Sequence, residues 1–223
     1  HQPMASSSGR FVIVFNGEVY NHLELRDELE NSSKSNLMST KLEWRGHSDT
    51  ETLLAGFECW GIVATLKKTV GMFSIVLWDK HQRTLYLARD RFGEKPLYYG
   101  WTGGRAGNTF VFGSELKALC AFPGFANLVC RKALAQYMRF MYVPAPRSIY
   151  QRIYKLEPGC LLSIKGKTPL TAPLSPLRPS EFYENLFLCR WWSFEDVVVF
   201  GASNPITKEE DAVNELEKCL YDA

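Results

Sequence analysis

A short polar run, Asn16-Gly17-Glu18, directly follows a predicted strand over residues 11–15. A side-chain amide beside a glycine N–H can supply two donors to a developing oxyanion, and glycine lets a substrate approach the backbone. The neighbouring carboxylate of Glu18 can bind an ammonium group. However, Asn-Gly is also the commonest signal for a tight hairpin turn. On spacing alone the turn is therefore favoured, although a helix rather than a partner strand is predicted next.

Asp49 is the second candidate, within the segment Arg45-Gly-His-Ser-Asp-Thr-Glu51. Ser48 and Glu51 have the spacing of a capping box, so a helix is predicted to begin at Asp49. An anion at this junction can face a cationic group, but it can also simply favour the helix dipole. His47 and Asp49 are too few for a metal site, and no cluster has zinc-ligand spacing. No metal is therefore predicted.

Two charged segments, Ala88-Arg-Asp-Arg-Phe-Gly-Glu-Lys-Pro-Leu-Tyr-Tyr99 and Phe112-Gly-Ser-Glu-Leu-Lys-Ala-Leu119, come at predicted turns. Their charges are expected to be solvated or paired, and a buried network of Asp90, Arg91 and Lys95 is left open. Ser114 is expected to cap a short helix. Gly166-Lys-Thr168 lacks the glycine that a phosphate-binding loop requires five residues earlier, so no such loop is predicted.

The elements that must position these residues follow from hydrophobic periodicity and turn signals. Together they predict an α+β domain with strands over 11–15, 72–78, 83–88, 97–101 and 109–112, a closing strand pair over 148–155 and 160–165, and helices over 22–30 and 49–60 with short ones near 114 and 131. Four prolines between 169 and 179 then predict a linker or an extended excursion. A final helix is predicted from Thr207.

Composition sets the limits on function. The 223 residues are 46% hydrophobic and 22% charged, with a net charge of +2, which is typical of one large globular domain or one domain and the start of another. A net charge this close to zero does not indicate nucleic-acid binding. No apolar run is long enough to cross a membrane. Six cysteines without a Cys-x-x-Cys pair predict a reduced, cytoplasmic chain.

Taken together and in order, several segments resemble the glutaminase domain of glutamine-hydrolysing asparagine synthetases, which are class II glutamine amidotransferases of the N-terminal nucleophile hydrolase superfamily. The resemblance covers residues 1 to about 165, through His1-Gln-Pro-Met4, Gly9–His22, Gly46–Glu51, Gly71–Asp79, Ala88–Tyr99 and Phe112–Ala118. It implies a four-layer αββα sandwich of two antiparallel sheets between helices, incomplete at its N-terminus.

The resemblance also implies a reaction, in which an N-terminal cysteine thiolate attacks the carboxamide of L-glutamine and releases ammonia. A C-terminal synthetase domain in cis then uses this ammonia and Mg-ATP to amidate aspartate, so no cofactor is expected in residues 1–223. Asn16 matches the side-chain oxyanion donor, Gly17 the backbone donor, Glu18 a glutamine-binding residue and Asp49 the carboxylate that holds the α-ammonium. This reverses the ranking that spacing alone gave.

The sequence departs from the family at the nucleophile. His1 matches a position beyond the family's first residue, and none of the six cysteines lies in the nucleophile motif. We therefore expect residues 1–223 not to hydrolyse glutamine alone. The expected domains are an N-terminally incomplete glutaminase domain over 1–165 and, over 166–223, a proline-rich linker with the lead-in helix of a synthetase domain.

Two other interpretations stay open. The chain could be a non-catalytic, glutaminase-like binding or scaffold domain, or part of a related amidotransferase with a different acceptor. The sequence leaves a homodimer open as well.

Overall fold

The computed structural model describes residues 2–34, 44–103 and 108–221, with the backbone alone at 33 and 34. The chain divides into two compact units between Trp191 and Trp192. The first unit contains β1 (Met4–Ala5), β2 (Phe11–Val19), α1 (His22–Lys34), α2 (Asp49–Cys59), α3 (Ile62–Lys68), β3 (Gly71–Asp79), β4 (Thr84–Arg89), β5 (Tyr98–Thr102), β6 (Thr109–Gly113), α4 (Leu116–Cys120), α5 (Arg131–Phe140), β7 (Ile153–Lys155), β8 (Cys160–Lys165), β9 (Phe182–Tyr183) and β10 (Leu186–Arg190).

A seven-stranded antiparallel sheet, in the order β1-β2-β3-β4-β8-β10-β9, forms the centre of this unit. Burial alternates along β2, which places Phe11, Ile13 and Phe15 on one buried face. The ring of Phe11 meets that of Phe57 edge to face, with centroids 6.4 Å apart, so α2 packs on this face. Helices α1 and α3 lie beside α2.

A three-stranded sheet, in the order β6-β5-β7, covers the other face of the large sheet. Its Tyr99 and Trp101 are buried in one cluster with Val76, Leu87 and Leu162 of the large sheet. On the outer face of the small sheet, Leu119 of α4 packs with Val111 and Ile153. The layers are therefore helices, sheet, sheet and helix, which confirms the αββα sandwich that the resemblance implies.

The strand β2 is longer than predicted, and this removes the hairpin turn. Asn16 pairs with Ser74, Gly17 with Phe73 and Glu18 with Met72, so the polar run lies inside the strand. Antiparallel pairing with β3 overrides the local turn signal of Asn-Gly because each of these residues gains a cross-strand partner.

The predicted strand pair at 148–165 is also wrong, because β7 and β8 belong to different sheets. β7 pairs with β5, whereas β8 pairs with β4 and β10. The turn between them carries the chain from one sheet to the other, since Leu156 N–H donates to Leu97 O and Gly159 N–H donates to Asp90 O.

The proline-rich segment packs against the sandwich instead of running free as a linker. Trp101 Nε1 donates to Pro169 O (2.7 Å), and the Tyr154 hydroxyl donates to Pro173 O (2.8 Å). Leu177, Leu186 and Leu188 complete the core between the sheets. The compact unit therefore continues past the predicted boundary at 165, because these leucines bury apolar surface there.

The second unit consists of α6 (Phe194–Ser203) and α7 (Glu209–Tyr221). The sequence patterns did not predict α6, which begins after Ser193, whose Oγ accepts a hydrogen bond from Asp196 N–H (3.3 Å). α7 is the predicted final helix, begun two residues later than Thr207. Among the described residues, no helix is both long enough and apolar enough to span a membrane.

Candidate functional site

The edge of β2 that faces away from β3 carries a row of backbone groups. Phe15 N–H donates to Gln2 Oε1 (2.8 Å), and Val19 N–H donates to Asp49 Oδ2 (3.0 Å). Alternate residues of a strand direct their N–H groups to the same side. Gly17 lies midway between Phe15 and Val19, so its N–H points to this same edge, between Gln2 and Asp49.

Gly17 is required at its position by the backbone of β3. Its φ is +155°, and a Cβ there would lie 2.1 Å from Met72 O and 2.6 Å from Phe73 Cα. Any larger residue would displace β3. The glycine thus allows the two strands to approach closely while its N–H stays directed outward.

The Asn16 side chain is held by Ser114, which was expected to cap a helix. Its Nδ2 donates to Ser114 Oγ (3.0 Å), which lies just after β6. Ser114 was predicted to cap α4, but that helix begins at Leu116 with Glu115 at the cap position and no side-chain cap bond. The cap prediction is therefore wrong. Sequence spacing gave no signal for this contact, because 98 residues separate the two side chains.

Asp49 is positioned by the predicted start of α2. Ser48 Oγ accepts a hydrogen bond from Glu51 N–H (3.2 Å), which confirms the serine cap. The Glu51 carboxylate accepts from the backbone N–H of Arg45 (2.7 Å) and Gly46 (3.0 Å) and so fixes the preceding loop. Asp49 Oδ1 accepts from Thr50 N–H (2.6 Å), and its other oxygen binds β2. A carboxylate has about four acceptor sites, so Asp49 keeps capacity for an ammonium group.

The structure places the four predicted site residues on two adjoining elements. Asn16, Gly17 and Glu18 are consecutive on β2, and Asp49 at the start of α2 is hydrogen-bonded to the next residue of that strand, Val19. Glu18 is exposed and lies on the same sheet face as Asn16. The arrangement offers an amide donor, a backbone donor and two anions.

The charged segment after β4 supports β3 behind this site. Asp90 is 1% exposed, and its carboxylate accepts hydrogen bonds from the backbone N–H groups of Phe73 (3.2 Å), Glu94 (2.9 Å) and Lys95 (3.0 Å). Arg91 Nη2 donates to Lys67 O (2.7 Å). Asp90 and Arg91 thus bind separate main-chain groups and Lys95 contributes its backbone N–H, so these contacts do not join the three charged side chains into one network. Burial lowers the pKa of Arg91, whose guanidinium binds main-chain carbonyl oxygens.

Two cysteines of the first unit, Cys59 and Cys160, are not placed to act as a nucleophile at this site. Cys59 ends α2, ten residues beyond Asp49 and so about 15 Å along the helix. Cys160 lies on β8 between the two sheets, where burial raises its thiol pKa to about 12. Such a thiol is a poor nucleophile at neutral pH. No described group of three or more His, Cys, Asp and Glu side chains could hold a metal ion.

Comparison with known proteins shows which family the chain resembles. A sequence model described as "Glutamine amidotransferase domain" matches residues 1–173. The asparagine synthetase (glutamine-hydrolyzing) 1 of Bacillus subtilis is 36% identical over 186 residues, covering 81% of this chain and 27% of the relative. A similarly named protein of Methanocaldococcus jannaschii is 30% identical over 219 residues, covering 95% of this chain and 34% of the relative. The chain thus spans about a quarter to a third of the length of these relatives.

A solved structure, titled as the allosteric regulatory enzyme of purine biosynthesis, superposes with a TM-score of 0.53. It is 19% identical and covers 86% of this chain and 31% of that chain, so it shows a shared fold. The family match over 1–173 and the relatives named as asparagine synthetases confirm the resemblance seen in the sequence. The chain therefore belongs to the family of glutamine amidotransferase domains.

Proposed function

We propose that residues 1–223 bind L-glutamine as part of a glutamine-dependent asparagine synthetase. The main support is that Asp49 lies next to the strand β2, which presents Asn16 and Gly17. The N–H group of Val19 on this strand donates a hydrogen bond to Asp49. Asn16 Nδ2 and Gly17 N–H are suited to an oxyanion formed from the glutamine carboxamide. Asp49 is suited to the α-ammonium, and Glu18 adds a second anion.

In the whole protein, a thiolate would attack the carboxamide carbon and form a glutamyl thioester as the C–N bond breaks and ammonia leaves. Water would then release glutamate. The ammonia would serve a synthetase domain in cis, which would amidate aspartate with Mg-ATP. Because none of the six cysteines lies in the nucleophile motif that the resemblance implies, we propose binding without turnover for this chain. The six cysteines form no disulfide bond among the described residues, which fits the proposed cytoplasmic location.

Isothermal titration calorimetry tests the proposal, with L-glutamine and D-glutamine added to the purified chain. Asp49→Asn should weaken L-glutamine binding by about 10–100-fold, because one charge-assisted hydrogen bond contributes about 1.5–3 kcal/mol. Asp27→Asn, on the exposed side of α1, removes the same charge away from the site and should leave the affinity unchanged. Equal binding of both enantiomers, or equal effects of both variants, would contradict the proposal.

A second candidate is a non-catalytic binding or scaffold domain, which the lack of a cysteine in the nucleophile motif favours. It predicts neither glutamine binding nor sensitivity to Asp49→Asn. The same titrations therefore separate it from the first proposal.

A further inference from the structure

A groove of about 780 Å³ lies between the start of α5 and the proline-rich segment, outside the glutamine site. One wall is cationic and the other is largely apolar. The cationic wall carries Arg131, Lys132, Arg147 and Arg152, and the opposite wall is formed by residues 172–176. No acidic residue of the described ranges lines the groove. The four cations concentrate positive charge on a chain whose net charge is only +2.

These four charges have no ionic partner within the described part of the chain. Some cations elsewhere in the chain are paired, as in Arg10 with Asp79 (2.6 Å) and Lys68 with Glu28 (2.5 Å). Like charges that line a concave surface raise the local positive potential and attract anions. An anionic ligand would offset this mutual repulsion.

The groove is held in shape by hydrogen bonds beneath it. The Tyr154 hydroxyl donates to Pro173 O (2.8 Å), which fixes the apolar wall to β7. Ser148 Oγ donates to Ile153 O (2.8 Å), and Arg152 O accepts from Trp101 N–H (3.0 Å). The backbone of Arg152 is therefore anchored to the small sheet. Binding here would need little rearrangement of the main chain.

We propose that this groove binds an organic polyphosphate of nucleoside di- or triphosphate size. Guanidinium groups present paired donors that match phosphate oxygens, and three of the four cations are arginines. The volume lies within the range of about 300–1,000 Å³ that is usual for small-molecule sites. A bare inorganic anion would leave the apolar wall in water, whereas a ligand with a flat organic part covers both walls.

Calorimetry with ATP, inorganic pyrophosphate and adenosine tests this assignment without any assay of glutamine. ATP should bind most tightly, pyrophosphate more weakly and adenosine weakest, and raising NaCl should weaken ATP binding. Arg147→Glu with Arg152→Glu should weaken ATP binding by at least about tenfold. The control pair Lys80→Glu with Lys165→Glu changes the net charge equally at exposed positions away from the groove, and should shift the affinity by less than about twofold.

Three outcomes would overturn the assignment. They are no binding of ATP at millimolar concentration, equal weakening by both variant pairs, and tighter binding of a poly-glutamate peptide than of ATP. The last result would indicate a docking surface for an acidic protein segment. Glutamine affinity, measured on the same samples, should be unchanged in the groove variants, so failure here is distinguishable from failure of the proposed function.

Discussion

Trp191 stacks on Phe73, with ring centroids 6.3 Å apart and planes inclined by 15°. Phe73 is the cross-strand partner of Gly17, and its Cα lies 2.6 Å from where a Gly17 Cβ would be. Trp191 is 5% exposed, and the guanidinium carbon of Arg91 lies 5.3 Å from its ring centroid. An aromatic residue beyond the family match of 1–173 thus supports the strand that backs the proposed oxyanion donor.

Replacing Trp191 by alanine should lower the free energy of unfolding by about 3–5 kcal/mol, because it removes a large buried ring and its stacking on Phe73. Urea denaturation checks this. Trp191→Phe keeps an aromatic ring on Phe73 and should recover more than half of the loss. Leu174→Ala, at a fully exposed side chain, should leave stability unchanged, and a Trp191→Ala variant as stable as the parent would contradict the expected support.

Gly17→Ala should destabilise the chain by at least about 3 kcal/mol and abolish glutamine binding, because the new Cβ collides with the backbone of β3. Gly9→Ala is the matched control, since Gly9 has φ +73° but a Cβ added there would meet nothing within 4 Å. That control isolates the cost of positive φ, about 1 kcal/mol. Chemical denaturation and calorimetry on both variants separate the collision from the dihedral cost.

Ser114→Ala should weaken L-glutamine binding by about fivefold while leaving the melting temperature unchanged. The substitution removes the oxygen that holds Asn16 Nδ2, and a hydrogen bond of this kind contributes about 1 kcal/mol. The affected Asn16 is exposed, so its loss should cost little stability. Ser163→Ala on β8, whose hydroxyl donates to Phe187 O, serves as the control. An unchanged glutamine affinity for Ser114→Ala would show that Asn16 needs no such support.

Stability should fall at alkaline pH through Cys160. Burial raises the pKa of its thiol from 9.0 to about 12, so the folded state holds a proton that the unfolded state loses first. This contribution is complete below pH 9 and declines as pH rises from 9 towards 12. Cys160→Ala should flatten the decline in unfolding free energy between about pH 9 and 11 by about 1–3 kcal/mol, whereas Cys219→Ala, at an exposed thiol, should not. Denaturation curves at several pH values measure the difference.

Local signals predicted the elements that local interactions determine. Ser48 caps α2 as expected, since both partners lie within one helical turn. The continuous apolar run over 11–15 correctly predicted a strand, of which the structure buries Phe11, Ile13 and Phe15. The site could not be predicted from local signals alone. Gly17 is required because of its close approach to β3, and the Asn16 side chain is held by Ser114, which is distant in sequence. Such contacts are set by sheet pairing, which no short window of sequence contains.

For a related reason, the sequence left open whether the proline-rich segment is a linker or an extended excursion. Four prolines indicate an extended chain, but not whether that chain lies in water or on a protein surface. The deciding groups are the carbonyl oxygens of Pro169 and Pro173, which accept hydrogen bonds from Trp101 and Tyr154. Both donors belong to strands of the small sheet, 68 and 19 residues away from their acceptors.

Residues 174–191 lie beyond the amidotransferase family model and yet belong to the first folded unit. The match to the amidotransferase family model ends at 173, whereas Leu177, Leu186 and Leu188 lie inside the core. A recombination event that joined a new downstream segment at residue 173, where the family model ends, would remove β10 from its pairing with β8. It would also open the space between the two sheets. Exchange of partners would therefore preserve this body only if the crossover fell after Trp191.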